Sequence, residues 1–452
     1  MLKTERNGYD MNQINKELYE KLSEIPLFDV HTHIDASHLS ARGLHDILLY
    51  HMVISDLYSA GCPDGARLSA DPDEKEIEHR LEKAIPYIQY IQNTSCFWGV
   101  RLILSELYGW DKPITMENWR ELHGIINEKS KDPKWAREVL KKANIIRICT
   151  ELYLRRDGSA DDLLQYCLEW AFFTRSQWGQ YDTALLELEH AWNQETPGSP
   201  LPVTIDRENL NFAKTIKSID DVHTAVKHYC DRIPYDEVTC TASHFSTDIK
   251  YRKVTEAEME EALKNRDNAG EAERDIYANY INEMFISNIE SSGKEIALNF
   301  SIGAEPLPYE TGSKLKVDTL FELAELFNRH PKVKFVLYLS SEHMSQTMCT
   351  LCRELPNVSV AGYWWHNFFP SSIRKVIEDR LDMIAVNKQL GFFSDAYCVD
   401  WAFAKTIIIK KQFAQVLENK INQGQYTFEQ ALAIGKQILH DSPKSLARMS
   451  EF

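Results

Sequence analysis

The sequence predicts an α/β protein, a (β/α)8 barrel with a helical insertion after its first strand. Three observations carry that prediction. Eight short apolar runs recur along the chain. Helical patterns separate most of them, which requires parallel strands joined by crossover helices. Between the first run and the second lie about a hundred residues of helical, aromatic-rich sequence, too many for one crossover.

Taken in order, residues 12–25 set Ile14, Leu18, Leu22 and Ile25 at helical spacing, and Pro26 stops that helix. The first strand follows at 27–30 and runs into His31-Thr32-His33. Helices are read at 77–91, 97–107 and 119–126, with Asp71-Pro72-Asp73-Glu74 opening one of them. The carboxylates there suit the positive end of a helix dipole. Further strands are expected at 145–149, 201–205, 238–242, 296–302, 333–339, 358–363 and 390–393. Helices are expected at 160–173, 208–230, 275–290, 318–328, 343–354 and 370–387, with a docking helix at 428–440. The charged stretch 250–275 reads as a solvated helix after strand four. Eight strands favour the barrel over a doubly wound sheet. The chain then divides into an N-terminal helix and strand one (1–42), a helical insertion (43–140), and the remaining barrel with C-terminal helices (141–452).

Composition narrows the function. Of 452 residues, 44% are hydrophobic, enough for a large core. Acidic residues outnumber basic ones 67 to 51, and the net charge of −16 repels nucleic acid and anionic membranes. The strongest basic cluster, residues 405–411, brackets an apolar run and reads as a helix boundary. There is no leader-like N-terminus and no uncharged apolar run long enough for a membrane span. Nine scattered cysteines suggest reduced thiols and a cytoplasmic setting. Cys349 and Cys352 share a helix face but cannot alone supply four zinc ligands, so ordinary packing is expected. No glycine-rich phosphate loop occurs, and no nucleotide cofactor is indicated.

His31-x-His33 is the sharpest local feature. Alternate residues of an extended segment point the same way, so both imidazoles can reach one ion at a strand end. A pair of structural histidines in a turn would show the same spacing. Asp29 points to the same side but deeper, where it either orients a ligand histidine or sits satisfied in the core. In a barrel the C-terminal strand ends form the functional face. Closing the barrel sets strand eight beside strand one, which brings Asp395 to His31 and His33 as a His2Asp metal site with open positions. His244 after strand four, His343 after strand six, and His366 and Asn367 after strand seven are further candidates. Trp364 and Trp365 stand at a strand end, where aromatics line pockets.

This constellation resembles the amidohydrolase superfamily of metal-dependent (β/α)8 barrels, and within it the uronate isomerase (glucuronate isomerase) family. The resemblance rests on the segment from Ile25 to His33, on Tyr50-His51-Met52, on Gly362-Tyr363-Trp364-Trp365-His366-Asn367, and on Ser394-Asp395-Ala396-Tyr397. It implies an aldose–ketose isomerase of an open-chain uronate such as D-glucuronate or D-galacturonate, with one divalent ion, zinc the expected one. His31, His33 and Asp395 would be its ligands. His51, Asp395 and Tyr397 would stand at the reacting end, and Arg207, His244, Trp364, Trp365, His366 and Asn367 around the sugar. The chain departs from the family pattern at Tyr397, where an Arg is usual, and at Met52, where a Tyr is usual. Ser301 occupies the place where hydrolytic relatives carry another metal histidine, which argues against a two-metal site. The expected partner is a small sugar acid, with neither nucleic acid nor membrane, and a homo-oligomer is compatible. The residues alone do not separate isomerisation from metal-activated hydrolysis or lyase chemistry of another sugar acid. A non-catalytic sugar-acid-binding barrel is the third alternative.

Overall fold

The structure, a computed structural model, describes residues 13–63, 74–169, 184–194, 211–245, 251–303, 317–364 and 367–449. Eight parallel strands pair in chain order. They are β1 (Leu27–Asp29), β2 (Ile145–Glu151), β3 (Leu164–Glu169), β4 (Val238–Phe245), β5 (Ala297–Ile302), β6 (Lys334–Leu339), β7 (Val358–Ala361) and β8 (Gln389–Leu390). The two ends of the sheet then meet. Val30 donates its N–H to Phe392 O at 3.5 Å, Asp395 to His31 O at 3.0 Å, and His33 to Ala396 O at 2.8 Å. These bonds close the barrel and bring the segment after β8 against the segment after β1.

One predicted helix is corrected. Within the predicted helix 160–173, the described residues, 160–169, contain β3 and no helix. Cys167 faces the barrel interior, while Leu164, Tyr166 and Leu168 face the surrounding helices. This alternation, with Gln165 also inward, is short and sits in a longer apolar stretch, Leu163 to Phe173, that also fits helical spacing. The strand expected at 201–205 lies outside the described residues. The other predicted strands are present, with ends shifted by a few residues.

Between β1 and β2 the described residues carry the helices Leu44–Leu48, His51–Ser59, Glu74–Ala84, Ile88–Ile91, Ser95–Tyr108, Trp119–Ser130 and Trp135–Ala143. Later helices start where the sequence supplies a cap. Ser218 with Asp221, Thr255 with Glu258, and Thr427 with Gln430 each satisfy two end N–H groups reciprocally.

The helix Val399–Asn422 joins the two halves, packing on Gln13–Glu24, Ser95–Tyr108, Trp135–Ala143 and Pro370–Met383. Its contact with Ser95–Tyr108 depends on Gly99, since a Cβ there would stand 2.6 Å from Trp401 Cζ3. The expected boundary at 405–411 is in fact the middle of this helix, and Lys405 and Lys410 are both buried. Every residue from Val399 to Lys410 is buried, so this stretch has no polar stripe to mark it as the interior of a helix, and the exposed Gln415 and Asn419 come only further along.

Inside the barrel, Phe28, Cys149, Cys167, Cys240, Val336 and Phe393 form a dry inner layer. The C-terminal segment closes its lower end. Gln165 Nε2 donates to Arg448 O at 2.9 Å, and Arg448 Nη1 to Glu295 O at 2.6 Å. The C-terminal ends of the strands remain as the face on which a site can be built. Among the described residues no helix is long and apolar enough to cross a membrane.

Candidate metal centre

β1 ends at Asp29 and the chain continues through His31 and His33, whose rings meet edge to face with centroids 4.9 Å apart. Across the barrel seam comes Asp395. Its Oδ1 stands 3.4 Å from His31 Nε2 and 3.3 Å from His33 Nε2. The fourth member is Glu151, the last residue of β2, whose Oε1 lies 2.7 Å from His33 Nδ1. His31, His33 and Glu151 offer ligand atoms within 4.8 Å of one another, the spacing of a group able to hold a metal ion. Sequence reasoning missed Glu151. The signal was available, for it follows Cys149 by two residues and so projects to the same face as that inward-facing thiol.

Burial sets the charges. Desolvation opposes ionisation of Asp395, but the two imidazoles facing it hold its carboxyl well below the usual range. Glu151 is likewise lowered against its burial by His33. Burial disfavours the charged form of His33, yet Glu151, Tyr397 and Asp395 together push it well above an ordinary imidazole. Such a cationic His33 belongs to the metal-free chain. Two polar atoms nevertheless make no hydrogen bond, namely His31 Nε2 and Asp395 Oδ1. Unbonded polar atoms this deep cost about 1–3 kcal/mol each unless something else engages them. Two imidazoles and a carboxylate that converge in this way are the donor set of a divalent ion, and the residues present fit one.

Behind this cluster lies Asp29, wholly buried. Its Oδ1 accepts the Ser394 N–H at 2.8 Å, while Oδ2 makes no hydrogen bond. Burial pushes its carboxyl up to about 7. Asp29 thus buttresses the strand that carries Asp395 and does not bond to a histidine side chain.

His51 begins the helix His51–Ser59 and is half-buried, stacked on Tyr50 at 4.5 Å. Burial lowers it most, Asp395 opposes this, and the positive charges of Lys405 and His33 add to the lowering, bringing it to about 4. Tyr397 is 51% exposed at the rim. Its ring stacks on His33 at 5.2 Å and meets the edge of His51 at 5.7 Å. Tyr397 therefore joins His51 to the metal cluster in one aromatic wall.

The other candidates are distributed more widely. Trp364 is packed in the inner layer of the barrel. Asn367 is buried, and its amide donates to Ser394 O at 3.0 Å. Ser301 is buried within β5. His343 lies on the turn Glu342–Met344 with its side chain 85% exposed. Residue 244 belongs to β4, but its side chain, like Arg207, Trp365 and His366, lies outside the described residues. Cys349 and Cys352 are ordinary core thiols of the helix Ser345–Glu354.

No family model matches the chain. It superposes on the crystal structure of a uronate isomerase from Thermotoga maritima with a TM-score of 0.74 and 16% identity, covering 96% of this chain and 97% of that one. For a glucuronate isomerase from Caulobacter crescentus the TM-score is 0.75 at 13% identity, covering 97% and 94%. The fold is that of the uronate isomerases. In sequence the chain is similar to a uronate isomerase of a Thermotoga species, 25% identical over 167 residues. That match spans 37% of this chain and 34% of the relative, about a third of its length. The uronate isomerase fold thus extends over nearly the whole chain, while the sequence likeness covers only part of it.

Proposed function

We propose that this chain is a divalent-metal-dependent aldose–ketose isomerase of a uronate such as D-glucuronate or D-galacturonate. One observation carries the reading: His31, His33 and Asp395 converge across the closing seam of a barrel with the uronate isomerase fold. His31, His33 and Asp395 would hold the ion, with Glu151 fixing His33 through its other nitrogen. Zinc suits two imidazoles and a carboxylate. When bound, the ion polarises a carbonyl oxygen and offsets the negative charge that develops on it.

The chain's own groups then handle binding and protons. Isomerisation moves a proton from C2 to C1 of the open-chain sugar and another between the two oxygens. Asp395, ionised at neutral pH, takes the proton of the C2 hydroxyl and returns it to the oxygen on C1. His51, neutral at the same pH, takes and returns the carbon proton. Tyr397, in contact with both His33 and His51, presents its ring and hydroxyl to the reacting end. Arg207 can grip the substrate carboxylate with two parallel bonds. His244 on β4, and Trp365 and His366 in the sequence that follows β7, are assigned to the sugar together with Trp364 and Asn367. The nine thiols, all buried and none in a disulfide, suit a reducing cytoplasmic setting.

The test combines metal analysis with an assay of glucuronate and galacturonate for ketose formation. Stoichiometric metal with aldose–ketose exchange supports the reading. Stoichiometric metal without exchange rejects isomerisation and leaves a hydrolase or lyase of another sugar acid. A chain with neither metal nor turnover is a non-catalytic barrel.

A further inference from the structure

Asp395 has an unusual backbone. Its φ is +56°, a left-handed conformation that costs a residue with a Cβ about 1 kcal/mol. Such a residue keeps its place only if its surroundings over-determine it. Here they do so through three successive peptide groups, from the Ser394 N–H to the Asp395 carbonyl. The Ser394 N–H is held by Asp29 Oδ1 at 2.8 Å, and the Asp395 N–H by His31 O at 3.0 Å. The carbonyls are held from the opposite side. Ser394 O accepts from Asn367 Nδ2 at 3.0 Å and from Lys405 Nζ at 2.5 Å. Asp395 O accepts the Tyr50 hydroxyl at 2.5 Å. Lys405 Nζ also donates to that same hydroxyl oxygen, at 2.9 Å, so lysine, tyrosine and carbonyl form one relay.

The ammonium of Lys405 stands out in this arrangement. It is 1% exposed on the central helix Val399–Asn422, and lies 4.3 Å from the Phe368 ring centroid and 4.8 Å from that of Tyr50. An apolar side chain of similar length would fill this space without the cost of a buried charge. The negative groups acting on the ammonium include Asp395 and Asp29. Both belong to the strand end and seam that the relay braces.

We infer that Lys405 and Tyr50 are positioning residues of the metal centre, which hold Asp395 in its left-handed conformation so that its carboxylate faces His31 and His33. This rests on the metal reading given above. Neither side chain touches the ion. They act through the backbone of Ser394 and Asp395, much as outer-shell partners orient ligands elsewhere.

The experiment titrates the metal-free full chain and its Tyr50→Phe and Lys405→Met variants with Co2+, reading affinity and the visible absorption of the bound ion. Thermal unfolding of each metal-free chain is measured in parallel. Tyr50→Phe removes one hydroxyl and is expected to weaken Co2+ about tenfold, shift the absorption bands, and lower the metal-free unfolding midpoint by a few degrees while the chain still folds cooperatively. Lys405→Met is expected to weaken Co2+ toward the hundredfold end of outer-shell effects. If Lys405→Met does not fold, Tyr50→Phe alone decides the matter. A parent chain that binds Co2+ and a Tyr50→Phe variant that matches it in affinity and spectrum overturn this inference alone. A parent chain that takes up no Co2+ overturns the metal reading, and this inference with it.

Discussion

Glu151 Oε1 sits 2.7 Å from His33 Nδ1, so the second histidine of the His-x-His pair is held from β2 while its Nε2 faces Asp395. A neutral imidazole that donates Nδ1–H to a carboxylate has its Nε2 lone pair committed to the other side, where an ion can use it. Glu151→Gln keeps a similar shape and loses the charge. Metal affinity is expected to fall about 10-fold to 100-fold, as read by titration against a competing chelator. Affinity unchanged from the parent would mean that His33 is oriented by something else.

Removing a ligand should be more severe than removing its support. His33→Ala and Asp395→Asn are both expected to abolish stoichiometric metal and turnover, measured by metal analysis of the purified chain and the uronate assay. Full activity in His33→Ala would reject the ligand set.

Most of this centre was legible because it depends on short-range rules joined by one long-range rule. His31-x-His33 is visible in a tripeptide, and Asp395 in the end of an apolar run. Barrel closure, inferred from counting eight strands, makes them neighbours, and the bond from Asp395 N–H to His31 O is the form this takes. What stayed hidden depends on burial, which sequence patterns report poorly. β3 reads as helical because its alternation of Leu164, Tyr166 and Leu168 with Gln165 and Cys167 is short and lies in a longer apolar stretch. Lys405 reads as the end of a helix because a lysine is normally solvated, and here it lies inside a helix whose residues from Val399 to Lys410 are all buried. Asn367 was expected at the sugar, yet its amide is bonded to the backbone beside Asp395. Its position after β7 was readable, but the direction of its side chain was not.

The loop after β7 approaches the site so closely that one methyl group should disturb it. Gly362 has φ +48°, and a Cβ there would lie 2.0 Å from Phe393 Cδ1. The Phe393 ring in turn meets His31 edge to face at 5.5 Å. Gly362→Ala is expected to cost about 2–4 kcal/mol, from backbone strain plus overpacking. Chemical unfolding checks this, and metal affinity should fall with it. Stability within 0.5 kcal/mol or so of the parent would show that Phe393 moves aside freely.

Acid stability should depend on a cluster far from the site. Glu283 lies on the helix Glu271–Ser292, bonded by Arg329 Nη2 at 2.8 Å and facing His330 Nε2 at 3.2 Å. Burial would raise its carboxyl, but His330 and Arg329 outweigh that and lower it from 4.5 to about 2. A depressed carboxyl stabilises the fold above its unfolded value and loses that contribution as pH falls from about 4.5 to 2. The contribution is at most about 3 kcal/mol. Glu283→Gln should therefore be less stable than the parent at pH 7, with the two curves converging toward pH 2. Parallel curves over that range would exclude the linkage.

His51 gives the sharpest pH test of the proposed chemistry. Burial is the largest cause of its low value of about 4, and the positive charges of Lys405 and His33 add to it. The imidazole is then neutral from about pH 5 upward, and its protonation contributes no inflection at the ordinary 6.5. Sign matters for stability too. The unfolded chain takes up this proton near 6.5 and the folded chain only near 4, so stability falls as pH drops across that window. For catalysis, His51→Gln keeps a hydrogen-bonding group but cannot carry the carbon proton. It is expected to lower kcat by about 10²–10⁴-fold with little change in KM, since the ring is assigned to proton transfer and not to holding the sugar. The parent's kcat should be flat across pH 6.5 as far as this residue is concerned. An inflection near 6.5 in the parent that disappears in His51→Gln would show an imidazole of ordinary basicity, and so reject the neutral, buried base.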